Sequence, residues 1–141
     1  MDDQLALRIR LFRDSGRVRP EVAAFVTAEL RALAAEGRTV TEATAGMLTS
    51  HLLLALTRVL DGEPVEPGEA DGRVAAELAG HPEAVERARA ISGRAAGSLG
   101  ALLPAAEIGF LGLHLAALAA RPRENPSRRP VPPTLRADPA R

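Results

Sequence analysis

The chain has 141 residues, 46 % of them hydrophobic and 26 % charged, with a formal net charge of zero. Length and balance fit one globular domain that can bury a core without covalent or metal staples. It contains no cysteine, which excludes disulfides and thiolate metal sites. All 18 basic residues are arginine, which with the abundant alanine reads as GC-rich codon usage rather than a chemical demand at every position. The charge is uneven: residues 121–141 carry six Arg against Glu124 and Asp138, a local net of +4, so the remainder carries −4. A negative body with three Phe and no Trp or Tyr argues against nucleic-acid binding, by bulk electrostatics and for lack of a stacking platform. The apolar stretch Ile108 to Ala120 spans 13 residues and contains His114, whereas a membrane span needs about 20. Asp2 and Asp3 give the N-terminus the wrong charge for a signal peptide. The expectation is a cytoplasmic protein without a membrane segment.

The first helix is predicted from about Asp3 to Asp14, with Leu5, Ile9 and Phe12 on one face and Ser15-Gly16 ending it. Pro20 opens the second, whose stripe is Val22, Phe25, Val26, Leu30 and Leu33, and Gly37 stops it. Thr41 is a suitable N-cap for the third, with Glu42 favouring the positive end of the dipole. Its stripe runs through Leu48, Leu52, Ala55, Leu56 and Val59 to Leu60, where Asp61-Gly62-Glu63-Pro64 breaks it. An acidic surface loop is expected up to Gly72, then a short helix from Arg73 to Ala79. Pro82 begins a further helix with Val85, Ala88, Ser92, Ala95 and Leu99 on one side, and Pro104 opens the last, to about Ala120. No segment alternates as a strand does. The fold class is therefore all-α: a compact antiparallel bundle of five to six helices over residues 1–120. The tail, residues 121–141, holds six of the eleven prolines and few large apolar residues, a composition expected to be disordered.

Three histidines occur. His81 precedes Pro82 at a helix boundary and reads as an exposed linker residue or weak cap. His51 and His114 lie mid-helix, each with a charged residue seven positions away on the same face: Arg58 after His51, Glu107 before His114. Seven residues place the paired side chains about 10 Å apart along the axis. Taken alone, such a histidine is most often a boundary residue satisfied by a carbonyl or water. Metal binding is not indicated, because a ferritin-like site needs Glu three residues before each His, where Leu48 and Leu111 stand. There is no HExxH, nucleophile-elbow serine, P-loop or dinucleotide fingerprint. The chain is thus read as non-enzymatic, with no cofactor and no metal.

Two segments carry a family resemblance. HLLLALTR, from His51 to Arg58, resembles the first histidine motif of the PTS regulation domain, H-[LI]-x-F-[AS]-[LI]-x-R. LLPAAEIGFLGLHL, from Leu102 to Leu115, resembles its second motif, a Leu-Pro helix start leading into E-[IL]-[GA]-[YF]-[LI]-x-L-H. Both occur in family order, and the likeness covers roughly residues 5–120. Two positions depart from the pattern: Ser50 replaces a frequent acidic residue, and Leu54 replaces the aromatic.

The resemblance implies a regulatory sensor phosphorylated reversibly on His114 and His51 by a phosphocarrier protein or a sugar-permease component of the phosphotransferase system. It makes Arg58 a partner for phosphate at His51 and Glu107 an orienting group for His114, with seven-residue spacing favouring a water-bridged or cross-helix contact over a direct bond, and His114 is ranked first because its motif is more complete. It also implies a homodimer, for which the faces carrying Leu48, Ala55, Leu111 and Leu118 are expected to supply apolar surface. Because the first helix begins near Met1, no nucleic-acid-binding head is expected, and output would pass through a separate effector or through dimerisation. Two other classes stay open: a structural adaptor that keeps the fold without phosphorylation, and a bundle using the His51/His114 surface as a ligand cleft.

Overall fold

Capping chemistry places the helix ends. The computed structural model describes residues 1–63 and 71–121 and contains six α-helices, with no strand among the described residues. Helix α1 (Asp3–Asp14) starts where the Asp2 carboxylate accepts the Leu5 N–H at 2.9 Å. Helix α2 (Pro20–Ala35) begins on its proline. Helix α3 (Glu42–Leu60) opens on a reciprocal cap: Thr41 accepts from the Thr44 N–H at 3.2 Å, and the Thr44 hydroxyl accepts from the Thr41 N–H at 2.9 Å. Helix α5 (Pro82–Leu99) ends at Gly100, whose left-handed φ of 71° suits a residue without a Cβ. Helices α4 (Asp71–Leu78) and α6 (Ala105–Ala119) complete the set. Relative to expectation, α4 is shifted toward the N-terminus, and Pro104 stands outside α6 as its extended cap residue. The expected loop falls partly on residues 64–70 and the expected disordered tail on residues 122–141, which lie outside the described residues.

The helices pack as two groups. Helices α1, α2 and α3 contact one another, α4, α5 and α6 do likewise, and the groups meet where α3 lies on α6 and α2 on α5. Leu48, Leu52, Leu53 and Leu56 of α3 enter a common core with Leu111, Leu115 and Leu118 of α6. By length and composition α3 is apolar enough to cross a membrane, yet half of that stretch is buried inside the bundle, as befits a central core helix. The second contact between groups carries ion pairs: Arg94 grips Glu29 through two hydrogen bonds of 2.7 and 2.8 Å, and Arg87 pairs with Glu36. Helix α4 lies close on α6 because glycines leave room: a Cβ at Gly109 would come within 3.0 Å of Val74, and one at Gly112 within 3.0 Å of Leu78.

Two expectations about faces are corrected. In α5 the buried stripe is Ala84, Ala88, Ile91 and Ala95, while Val85, Ser92 and Leu99 are only half-buried. The small side chains face inward because α5 lies along α6, and alanine lets two helices approach. More consequentially, Leu48, Ala55, Leu111 and Leu118 are buried within the protomer, so they are not the source of a dimer face. Among the described residues, the large apolar side chains left exposed are Leu7, Leu11, Met47 and Leu102.

One buried group of α3 is unsatisfied among the described residues: the Thr57 hydroxyl has no hydrogen-bond partner. Replacing it with the near-isosteric valine is expected to stabilise the fold by about 1 kcal/mol, because the desolvation cost of the hydroxyl disappears. Urea unfolding of Thr57→Val should show a raised midpoint at unchanged slope. A lowered midpoint would mean that the hydroxyl contributes a bond.

Candidate functional site

Glu107 stands in the first turn of α6, where unpaired N–H groups and the helix dipole favour a negative charge. Its side chain is only 11 % exposed, and a carboxylate so far out of water requires a partner. The partner comes from the other helix group: His51 Nε2 donates to Glu107 Oε2 at 2.6 Å. Residues 107, 110 and 114 fall at i, i+3 and i+7, one face of α6. The His51 ring lies against that face, its centroid 5.9 Å from the Phe110 ring and 5.9 Å from the His114 ring, tilted by 57° and 43° respectively. The two histidines of the sequence motifs are therefore neighbours in space, and both are half-buried.

The structure gives one supporting residue a different partner and leaves the other unpaired among the described residues. Glu107 was expected to orient His114, but it bonds His51. The reason is reach: on its own helix Glu107 is nearly two turns from His114, about 10 Å along the axis, whereas α3 brings His51 alongside. Arg58 is exposed, and its side chain pairs with none of the described residues; its distance along α3 keeps it from His51 in this state. His81 caps nothing with its side chain, and its Nε2 lies 4.0 Å from Glu77.

Two residues near the site carry roles that the sequence analysis did not assign. Phe110 stands inside the second motif, and the i+3 step from Glu107 was the available signal for its place beside His51. Arg8 has no such signal, being remote in sequence. Its Nη1 donates to Ser50 Oγ at 2.8 Å and its Nε to both Glu42 oxygens at 2.9 and 3.1 Å. The bond to Arg8 holds the Glu42 carboxyl below its usual range. Ser50, beside His51, is thus an acceptor for an arginine whose charge is matched by Glu42.

No group of three or more His, Asp or Glu side chains among the described residues is arranged to hold a metal ion. What the cluster offers is a pair of imidazoles, one of them bonded to a carboxylate, on a surface shared by two helices. Imidazole can act as a nucleophile, a proton carrier or a pH-responsive charge. Burial, and then the proximity of His51, push the His114 pKa below its ordinary value of 6.5, which favours the neutral ring at pH 7. No protein-family model, curated protein or solved structure matches this chain.

The His114 shift has a signed consequence for stability. A histidine whose folded pKa is depressed contributes stability that is complete above about 6.5 and is lost as pH falls through the lowered value. Chemical denaturation at a series of pH values from neutral down to about 5 is therefore expected to show declining stability, above the range where ordinary carboxylates titrate. In His114→Gln the decline should be shallower. An equal slope in both proteins would show that His114 does not carry the effect.

Proposed function

We propose that the chain is a phosphorylation-responsive regulatory module of the kind its two histidine motifs resemble, a PTS regulation domain, with His51 and His114 as phospho-acceptors. One observation carries the reading: residues from two separate motifs converge, so that His51, Glu107, Phe110 and His114 form a single cluster across α3 and α6. A neutral imidazole is a competent nucleophile near pH 7, and a half-buried position admits a donor while limiting water. A phosphoryl group adds a charge of about −1.5 to −2, by analogy with other protein phosphates. Placed beside buried Glu107, that charge must attract arginine or repel its neighbours. Arg58 is exposed and lies on the same helix as His51; a side chain of its length can swing toward the new charge. The donor would be a phosphocarrier protein or a sugar-permease component of the phosphotransferase system.

The test is phosphotransfer from phosphoenolpyruvate through the general enzyme and the phosphocarrier, read by intact mass on wild type, His51→Ala, His114→Ala and the double variant. Labelling that persists in both single variants and vanishes in the double is the expected result. No labelling with active phosphocarrier, or labelling indifferent to both changes, would favour the adaptor reading, in which the fold is kept without the modification.

The output of such a module would be a change in self-association or in contact with an effector. We place the dimer face at Met47, His51 and Leu54, which share one side of α3, together with Phe110 and Leu113 of α6. Met47 is 78 % exposed, a large apolar area to leave in water beside partly buried neighbours. Dianions facing one another across a symmetric contact would repel by roughly a few kcal/mol at an effective dielectric near 20. Sedimentation of the unmodified protein should show a dimer that Met47→Glu weakens. A strict monomer at high micromolar concentration, or a dimer unaffected by the change, would remove this face from the account.

A further inference from the structure

The partner chosen by Glu107 determines which nitrogen of His51 is free. A carboxylate has no hydrogen to donate, so in the 2.6 Å contact Nε2 bears the proton. In a neutral imidazole the in-plane lone pair then belongs to Nδ1, which has no hydrogen-bond partner among the described residues. We propose that Glu107 is a positioning residue for His51, holding its ring as the Nε2–H tautomer so that Nδ1 is the nucleophilic atom of the site. The assignment rests on the reading of the cluster as a phospho-acceptor, and it names the atom that takes the phosphoryl group.

Three features support the assignment. Glu107 is buried in the first turn of a helix, so its position is set by the backbone rather than by a flexible surface arm. The Phe110 and His114 rings lie beside the imidazole from one face of α6, each with its centroid 5.9 Å away. His114, by contrast, makes no hydrogen bond to a described residue, and nothing selects one of its tautomers. Motif completeness ranks His114 first as acceptor; the geometry ranks His51 first.

The chemistry follows from the same contact. The Nδ1 lone pair forms the N–P bond, while the bond from phosphorus to the donor nitrogen breaks and its electron pair stays with the donor. The His51 ring acquires positive charge as this proceeds, its Nε2 proton remains in place, and the Glu107 carboxylate compensates the charge as it develops. With phosphoramidate as donor, reacting in its N-protonated form, ammonia leaves and the atoms balance. Attack through Nε2 would require breaking the carboxylate contact and would leave a dianion beside Glu107, so like-charge repulsion opposes it.

Long-range proton–nitrogen correlation spectra of labelled protein at about pH 8, where an ordinary histidine is neutral, test this directly. The chain has three histidines, so His51→Gln and His114→Gln variants assign the signals. His51 is expected as a single Nε2–H tautomer in wild type. In Glu107→Gln, an isosteric amide that can donate or accept, it should become a mixture. Phosphoramidate should label Nδ1 of His51, with the rate falling on the order of tenfold in Glu107→Gln, as expected for losing one nearby opposite charge. An Nδ1–H tautomer in wild type, phosphoryl on Nε2, or labelling unchanged in Glu107→Gln would overturn the assignment. Nδ1 labelling by phosphoramidate without any transfer from the phosphocarrier would support the assignment while sinking the signalling reading.

Discussion

A carboxylate taken out of water at the junction of two helix groups is the constraint around which this molecule is arranged. Glu107 is favoured in its place by the α6 dipole, but a dipole alone does not compensate a buried charge. The hydrogen bond from His51 does, and it ties α3 to α6 at one point along a contact that is largely apolar. Packing of that apolar kind tolerates small slips between helices. A directional 2.6 Å bond does not, so it fixes the relative register of the two helices locally.

Helix α3 therefore serves two purposes on two faces. Leu48, Leu52, Leu53 and Leu56 enter the core with α6. Met47, His51 and Leu54 look outward or lie at the boundary. Its run of leucines, alanines and Val59 raises its hydropathy to that of a membrane span although the helix is the centre of a bundle. Several of its polar groups are held individually, Ser50 by Arg8 and His51 by Glu107, with Thr49 donating to the Ala45 carbonyl at 2.7 Å, while the Thr57 hydroxyl and the Arg58 side chain have no such partner among the described residues. A phosphoryl group on this face would act on helices already in contact, without a separate transmission element. Under the proposed reading, such direct coupling would let the modification alter association.

The N-terminal segment is more closely involved than its position suggests. Asp2 caps α1 and also accepts the first N–H of α3 through both oxygens at 3.2 Å, while Arg8 bridges Glu42 and Ser50. The start of α3, one end of the helix carrying His51, is thus anchored by Arg8 of α1 and by Asp2, the cap residue of that helix. Changes in charge near Ser50 would be felt by Arg8 directly, which gives the serine at that position a physical role of its own.

Local chemistry was enough to locate the elements. Proline at helix starts, threonine and aspartate caps, and glycine at turns act within a few residues, so the ends of α1, α2, α3 and α5 could be read from the chain. Apolar periodicity likewise identified the stripes of α2 and α3, and the two histidine motifs singled out a pair of residues that the fold brings together. The partnerships were decided only by tertiary structure. Whether Glu107 meets His114 or His51 depends on how α6 lies against α3, and helical rise prevents the first while packing supplies the second. The inward face of α5 turned toward its alanines because close approach to α6 outweighed the larger apolar side chains nearby. Leu48, Ala55, Leu111 and Leu118, apolar and beside the histidines in sequence, proved to be interior for the same reason. Periodicity reports that a face is apolar, but not which surface covers it, since that information lies in the arrangement of the other helices.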